Sequence, residues 1–392
     1  MKYISRTIWS LSLISLFTDI ASEMLYPIMP IYLKSIGFSV LFIGILEGVA
    51  EATAGLSKAY FGRLSDCTNR RVPFVQLGYA FSSISKPLMA VFVAPLWIFF
   101  ARTLDRLGKG IRTGARDAML SDESTPETKG RVFGFHRSMD TLGAVIGPLF
   151  ALCYLYFKPE DYKTLFLIAF IPGLMAILTT SFLKEKSISN QHVKNSKSFF
   201  SFLDYWKESP QAYKKLLLGL LLFALINSSD AFLLLKSKES GLDDVHVISV
   251  YIFYNLIYAL LAFPVGILAD RIGLKNIFLL GLLAFIIVYF GMAGNTNIYI
   301  IALLFFLYGF YAAATEGISK AWISNLIDKK DTATAIGTYS GLQSICALIS
   351  SSLTGFIWFQ FGSAVALGWS GLLGIFVLLY LFLHVKPVTR LN

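Results

Sequence analysis

Asp19 and Glu23 stand four residues apart, as do Glu47 and Glu51, and each pair falls inside a long apolar run. Four-residue spacing puts both members of a pair on one face of a helix. Counted at about 1.5 Å per residue, Asp19 and Glu51 come out near the middle of a bilayer crossing, with Glu23 and Glu47 further out. Carboxyl groups gathered at low dielectric cannot all stay ionised, because desolvation and mutual repulsion both favour the protonated form. Such groups can take up and release protons. The structural alternative is that they pair with Lys58, Lys86, Arg102 or Arg106 and hold helices together, although ion pairs alone are a costly way to pack helices.

Further charge follows. From Arg102 the chain reads R-T-L-D-R-L-G-K-G-I-R-T-G-A-R-D, which places Arg102, Asp105 and Arg106 around the midplane and Lys109, Arg112, Arg116 and Asp117 nearer the inner end. A fixed guanidinium at the midplane is a fork for a carboxylate or phosphate, whereas the inner group, Arg112 among it, reads as gate and orientation charge. His136, Arg137 and Asp140 precede Gly143-x-x-x-Gly147-Pro148, a spacing of small residues that permits close helix approach beside a bending proline. In the second half Asp230 follows Asn227, Ser228 and Ser229, and Glu316 and Lys320 are spaced to pair on one face. Tyr254, Asn255, Tyr258, Tyr308, Tyr311, Trp322 and Gln343 are candidate cavity residues. Gly108-Lys109-Gly110 lacks the spacing of a nucleotide-binding loop, and Cys67, Cys153 and Cys346 are too scattered for a metal cluster or disulfide framework. Neither an enzyme nor a bound cofactor or metal is expected.

The elements that carry these residues must be membrane helices. The chain is 56% hydrophobic and 15% charged with a mean hydropathy of +0.65, outside the usual range of soluble domains. A hydrocarbon core about 30 Å thick takes about 20 residues per crossing, and twelve such spans can be counted along the 392 residues. The net charge of +10 could suggest nucleic acid, but with the amino terminus inside, 23 of the 34 Lys and Arg fall in inner segments and only Lys34, Lys158, Lys163, Lys236 and Lys238 in outer loops. This is an orientation signal, and it expects both termini in the cytoplasm. Pro27 and Pro30 should kink or unwind the outer end of the first helix, Ser124 to Glu127 make a good start for the fifth, and Asp331 and Thr332 cap the eleventh. Phe199 to Trp206, aromatic and beside basic residues, could lie along the inner headgroup layer.

The chain also repeats itself. Gly62 to Arg71, G-R-L-S-D-C-T-N-R-R, recurs 204 residues later from Gly266 as G-I-L-A-D-R-I-G-L-K, with Asp270 for Asp66 and Lys275 for Arg71. Gly134 and Asp140 likewise match Gly337 and Gln343 at an offset of 203. Two halves are therefore expected: residues 1–183 as one six-helix bundle, 184–212 as a cytoplasmic linker, and 213–392 as the second bundle.

Gly62, Leu64, Asp66, Asn69, Arg70 and Arg71 resemble the loop signature of the major facilitator superfamily of secondary transporters, and Gly266, Asp270 and Arg271 fall where its weaker second copy would be. The resemblance implies an all-α membrane protein of twelve transmembrane helices in two pseudo-symmetric six-helix bundles. It implies alternating access to a small organic solute bound near the midplane, in a monomer of the inner membrane driven by the proton gradient. It gives the twin loops a gating role, with Asp66 at the amino end of the eleventh helix, where the dipole favours a carboxylate. An arginine near the cavity on the fourth helix resembles the family's proton-transfer signature there, although the spacing to Gly108 and Gly110 departs from it. Gly143, Gly147 and Pro148 resemble the fifth-helix motif of the antiporter branch, although Phe150, Ala151 and Leu152 stand where paired glycines would continue it. Proton-coupled efflux is the leading expectation. Uptake of a polar nutrient or siderophore-type compound by symport is the alternative, and a non-transporting membrane sensor ranks behind both.

Overall fold

The computed structural model describes residues 4–26, 28–29, 32–33, 36–38, 40–185, 205–242, 244–294 and 297–385. Among them every regular element is a helix. Six long helices fill the first half: α1 (Arg6–Glu23), α2 (Val40–Thr68), α3 (Val72–Val91), α4 (Pro95–Asp122), α5 (Lys129–Phe157) and α6 (Tyr162–Thr180). A single turn, Tyr205–Glu208, leads into the second half: α7 (Gln211–Ala224), α8 (Ala231–Glu239), α9 (Asp244–Ile272), α10 (Leu274–Gly294), α11 (Ile298–Leu326), α12 (Thr332–Phe361) and α13 (Ser363–His384). The seventh span is split into α7 and α8, with Leu225–Asp230 non-helical between them.

By length and composition, α5, α6, α10, α11 and α13, together with Ser249–Ile272 of α9 and Lys329–Phe361, are each apolar enough to cross a membrane. α1 and α4 carry Asp19, Glu23 and the arginine run instead, so their polarity marks interior positions rather than lipid-facing ones. The outward surface is apolar: Tyr156, Ile171, Phe182, Leu260, Leu303, Phe359 and Phe376 are all well exposed, as a helix facing hydrocarbon should be. α2 has 29 residues, about 43 Å at 1.5 Å each, so its last two turns, with Asp66, project beyond a hydrocarbon core about 30 Å thick.

Some boundaries move from their expected places for physical reasons. α1 ends at Glu23, one turn before Pro27 and Pro30, which themselves lie outside the described residues. Ser124 to Glu127 do not open α5. Thr125 and Thr128 close a turn on each other, Thr128 N–H donating to Thr125 O at 2.9 Å and Thr125 N–H to Thr128 Oγ1 at 2.9 Å, and the helix begins at Lys129. Of the aromatic stretch beside the linker, only Tyr205 and Trp206 fall within the described residues.

The chain folds into two compact units. Unit 1 comprises Met1–Glu123, Met139–Lys207 and Asp328–Gly341, and unit 2 comprises Ser124–Ser138, Glu208–Ile327 and Leu342–Asn392. Each unit thus takes the first third of one helix whose remainder belongs to the other: unit 1 takes the start of α12, unit 2 the start of α5.

Candidate functional site

Within unit 1 the loop after α2 is built around Asp66. Asn69 takes the left-handed conformation (φ 53°) that ends the helix, a conformation Asn tolerates better than most residues. Gly62 lies so close to the start of α12 that a Cβ there would stand 2.4 Å from the Ala333 carbonyl oxygen. That approach delivers the first turn of α12 to Asp66. Its Oδ2 accepts from Thr334 N–H at 2.6 Å and Thr334 Oγ1 at 2.7 Å, and its Oδ1 from Arg71 Nη1 at 2.8 Å. Arg71, 3% exposed, also donates to Asp122 Oδ2 at 3.0 Å and to the Lys329 carbonyl at 3.0 Å. Glu185 in turn caps α3, accepting from the N–H groups of Arg71 and Val72 at 2.8 and 3.0 Å. Burial outweighs these favourable partners and leaves the Asp66 carboxyl pushed up to about 6.

Unit 2 repeats the device with different donors. Asp270 accepts from Gly130 N–H at 2.7 Å, Arg131 N–H at 3.0 Å and Arg131 Nε at 2.8 Å, at the first turn of α5. Gly266 permits the approach, since a Cβ there would lie 2.3 Å from the Gly130 carbonyl oxygen. Lys275, the counterpart of Arg71 in sequence, goes elsewhere: its Nζ donates to the carbonyls of Phe382 and Val385 at 2.8 and 2.6 Å. Arg70 and Arg271 are exposed. Arg112 is not brought to either loop. It lies 4.5 Å from the Tyr79 ring centroid and donates to Ser82 Oγ, tying α4 to α3.

The intramembrane charges of unit 1 sort into two groups. Lys86, 2% exposed, donates to Asp105 Oδ1 at 2.7 Å and to Ser22 Oγ at 3.1 Å, while Arg102 Nη1 lies 3.6 Å from Asp105 Oδ2. Asp105 is thereby held as a structural anion. The second group centres on Asp19, whose carboxyl lies beside that of Asp140. Ser15 Oγ donates to Asp140 Oδ1, Arg116 Nη1 donates to Ser15 Oγ at 3.4 Å, and Arg116 pairs with the fully buried Asp117 at 2.9 Å. Glu23 lies in the field of Lys109, Arg106 and Arg102. Gly143 and Gly147 make this junction possible: Cβ atoms there would stand 2.8 Å from Asp19 Cβ and 2.7 Å from the Ile20 carbonyl oxygen, with Pro148 following inside the helix. Glu47 and Glu51 occupy α2, but their side chains lie outside the described residues.

In unit 2 Asp230 accepts from the hydroxyls of Tyr254 and Tyr308, the latter at 2.5 Å. Glu316 meets Arg137 Nη2 at 3.4 Å, and the Arg137 guanidinium also donates to Tyr258 OH and stands 5.5 Å from its ring centroid. The expectation of a Glu316–Lys320 pair is therefore replaced by a contact with a residue 179 positions away. Arg137 and Asp140, three apart on α5, belong to different units. Ser15, Glu185, Thr334 and Arg131 were not among the residues singled out from sequence. Only Ser15 carried a local signal, its four-residue spacing from Asp19. Among the described residues no group of three His, Cys, Asp or Glu is arranged to hold a metal.

The sequence profile of the Major Facilitator Superfamily matches residues 11–254 and 234–392. The chain belongs to this superfamily. It is 33% identical over 390 residues, 96% of each chain, to an uncharacterized MFS-type transporter of Methanocaldococcus jannaschii. It is 24% identical to a multi-drug resistance efflux pump PmrA homolog of Lactococcus lactis, covering 86% of this chain and 84% of that one. A shorter similarity, 32% over 152 residues, 37% of this chain and 34% of the other, links it to the staphyloferrin B transporter of Staphylococcus aureus. Among solved structures, the human organic anion transporter MFSD10 superposes with a TM-score of 0.78 at 16% identity, over 96% of this chain and 99% of that one. The Escherichia coli fucose:proton symporter FucP gives 0.78 at 12%, over 97% and 98%. The twelve-span, two-half major facilitator architecture follows, and with it a multi-pass membrane transporter of small solutes rather than an enzyme.

Proposed function

We propose that this transporter is proton-coupled and works as an exporter, in the cytoplasmic membrane with both termini inside. The observation that carries the reading is the closeness of Asp19 and Asp140 across the junction of α1 and α5, where Gly143 meets Asp19 and Ser15 donates to Asp140. Gly143, one turn from Asp140, brings α5 against Asp19, and two carboxyl groups so close repel when both are ionised, so a proton held by one of them stabilises the pair. Ser15, Arg116 and Asp117 extend the pair into a continuous polar path. When the proton leaves, the two negative charges repel across the α1–α5 junction at Gly143, so the protonation state and the packing of these helices are coupled. Energy then comes from the proton gradient, with no bound cofactor. Export is favoured by the kinship with a protein named as an efflux pump and by the small-residue face of α5. The Asp66 and Asp270 contacts serve as latches at the inner ends, regulating motion rather than binding solute, and a monomer suffices as the working unit.

The test is flux in proteoliposomes under an imposed pH gradient. Flux of a transported solute should follow the gradient in the unaltered protein, while Asp19→Asn and Asp140→Asn should each abolish gradient-driven accumulation and leave exchange of solute for solute. Gradient-driven accumulation that survives both substitutions refutes the coupling role of the pair. The direction of the gradient that drives accumulation distinguishes export from uptake.

A further inference from the structure

Apart from the Asp19–Asp140 pair and from Asp161, which caps α6 from the loop before it and meets Tyr154 and Thr164, the buried or half-buried acids with a described partner each meet a cation: Asp66 and Asp122 meet Arg71, Asp105 meets Lys86, Asp117 meets Arg116, Asp270 meets Arg131 and Glu316 meets Arg137. Asp230 does not. Its hydrogen-bond partners are two tyrosine hydroxyls, and among the described residues no lysine, arginine or histidine pairs with it. A carboxylate within a membrane span without a countercharge is costly, and is neutralised either by a proton or by a positive charge supplied from outside the fold.

The surroundings narrow what that charge can be. Asp230 is the N-cap residue of α8, immediately before Ala231, yet its side chain does not cap its own helix. It points instead to Tyr254 and Tyr308, whose ring centroids are 5.3 Å apart, with Tyr311 5.1 Å beyond Tyr308. Two hydroxyls occupy two of the roughly four lone-pair positions a carboxylate offers. One turn earlier, in the break between α7 and α8, the Asn227 carbonyl Oδ1 is buried and has no hydrogen-bond donor. An anion and an orphaned acceptor both call for N–H donors, while aromatic faces attract a cation and pack an apolar body. An inorganic cation would use the oxygens and leave the rings without a purpose. A protonated amine on an aromatic or aliphatic body uses both.

We propose that Asp230, with Asn227, Tyr254 and Tyr308, forms a subsite for the protonated amino group of a lipophilic amine, and that this group is part of the transported solute. The ammonium docks on the free side of the Asp230 carboxylate, the Asn227 carbonyl takes a second N–H, and the carbon skeleton lies along the tyrosine rings. The inference rests on the transport reading only for the subsite's role in carrying solute. Binding itself can be read without any gradient.

The experiment is calorimetric titration of the purified full-length protein in detergent at neutral pH, with phenethylamine, 2-phenylethanol, phenylacetate and sodium chloride as probes. Phenethylamine should bind at least about tenfold more tightly than the alcohol or the acid, as loss of one partner of a desolvated charge pair requires, and Asp230→Asn should erase that preference. Equal binding of the three organic probes, tighter binding of phenylacetate, a preference that survives Asp230→Asn, or sodium binding without amine selectivity would each overturn the proposal. The ranking is read first on the unaltered protein, so a poorly folded variant does not remove the test. Amine selectivity without gradient-driven flux would fault the proton-coupling reading alone, and the reverse would fault the subsite alone.

Discussion

A carboxylate that accepts three short hydrogen bonds, one from an arginine, is ordinarily expected to be more acidic than a free one. Asp66 goes the other way, because removal from water outweighs Arg71 and the two Thr334 donors. Its carboxyl therefore binds a proton more tightly when the start of α12 is docked than when the loop is hydrated. The sign follows: with the docked value at about 6 and the ordinary one at 3.8, the docked state gains relative stability as pH falls through that window and loses it as pH rises. At about 1.36 kcal/mol per pH unit, the full excursion is on the order of 3 kcal/mol, nearly all of it between pH 4 and about pH 6. The perturbation is Asp66→Asn, which keeps the shape and removes the titration. Hydrogen exchange of the Thr334 amide, which donates directly to Asp66 Oδ2, is the local readout. The unaltered protein should show this amide progressively better protected, relative to the variant and after correction for intrinsic exchange, as pH is lowered from about 7 to about 4. A difference between the two proteins that does not vary with pH, or that grows as pH rises, would refute the reasoning.

Other consequences can be checked with simpler measurements. Gly62→Ala places a methyl 2.4 Å from the Ala333 carbonyl oxygen, a backbone atom that cannot swing aside, so denaturation in mixed micelles should register a loss of about 1–3 kcal/mol. Lys86→Met strands Asp105 without its principal cation and should cost about 3–5 kcal/mol, much of which returns in the double variant Lys86→Met/Asp105→Leu. A double variant no more stable than the single one would show that the pair is not the reason for the cost. Ser15→Ala interrupts the bridge between Asp140 and Arg116. It should slow proton-driven flux while leaving binding of a transported solute unchanged, which equilibrium titration and flux together can separate.

What could be read in the sequence was whatever repeats or recurs at helical spacing. The duplicated loop announced both Asp66 and Asp270, and the positions of Asp331 and Thr332 indicated where α12 begins, so the landing site of Asp66 was close to hand. The start of α5 is the landing site of Asp270, but Ser124 to Pro126 resemble a local cap so well that they conceal the distant one. The first donors of α5 are satisfied from α9, and local capping residues carry no trace of that. Glu316 and Lys320 obey the four-residue rule, yet α11 turns Glu316 toward α5. Arg137, which no spacing links to it, becomes the partner. Lys86 and Asp105 are 19 positions apart on different helices, and their union depends on the packing of α3 against α4. The break at Leu225–Asp230 has no proline or glycine to announce it. It comes from a run of Asn, Ser, Ser and Asp whose side chains compete for backbone groups.

The ownership of Asp328–Gly341 by unit 1 has a consequence for how the polypeptide is made. Domains generally complete themselves as they leave the ribosome, but here the face of α2 at Gly62 waits for a segment encoded near the far end of the message. Unit 2 in turn depends on Ser124–Ser138, synthesised long before the rest of it. A gene severed at the linker would therefore give two fragments, neither of which holds all the pieces of a finished unit.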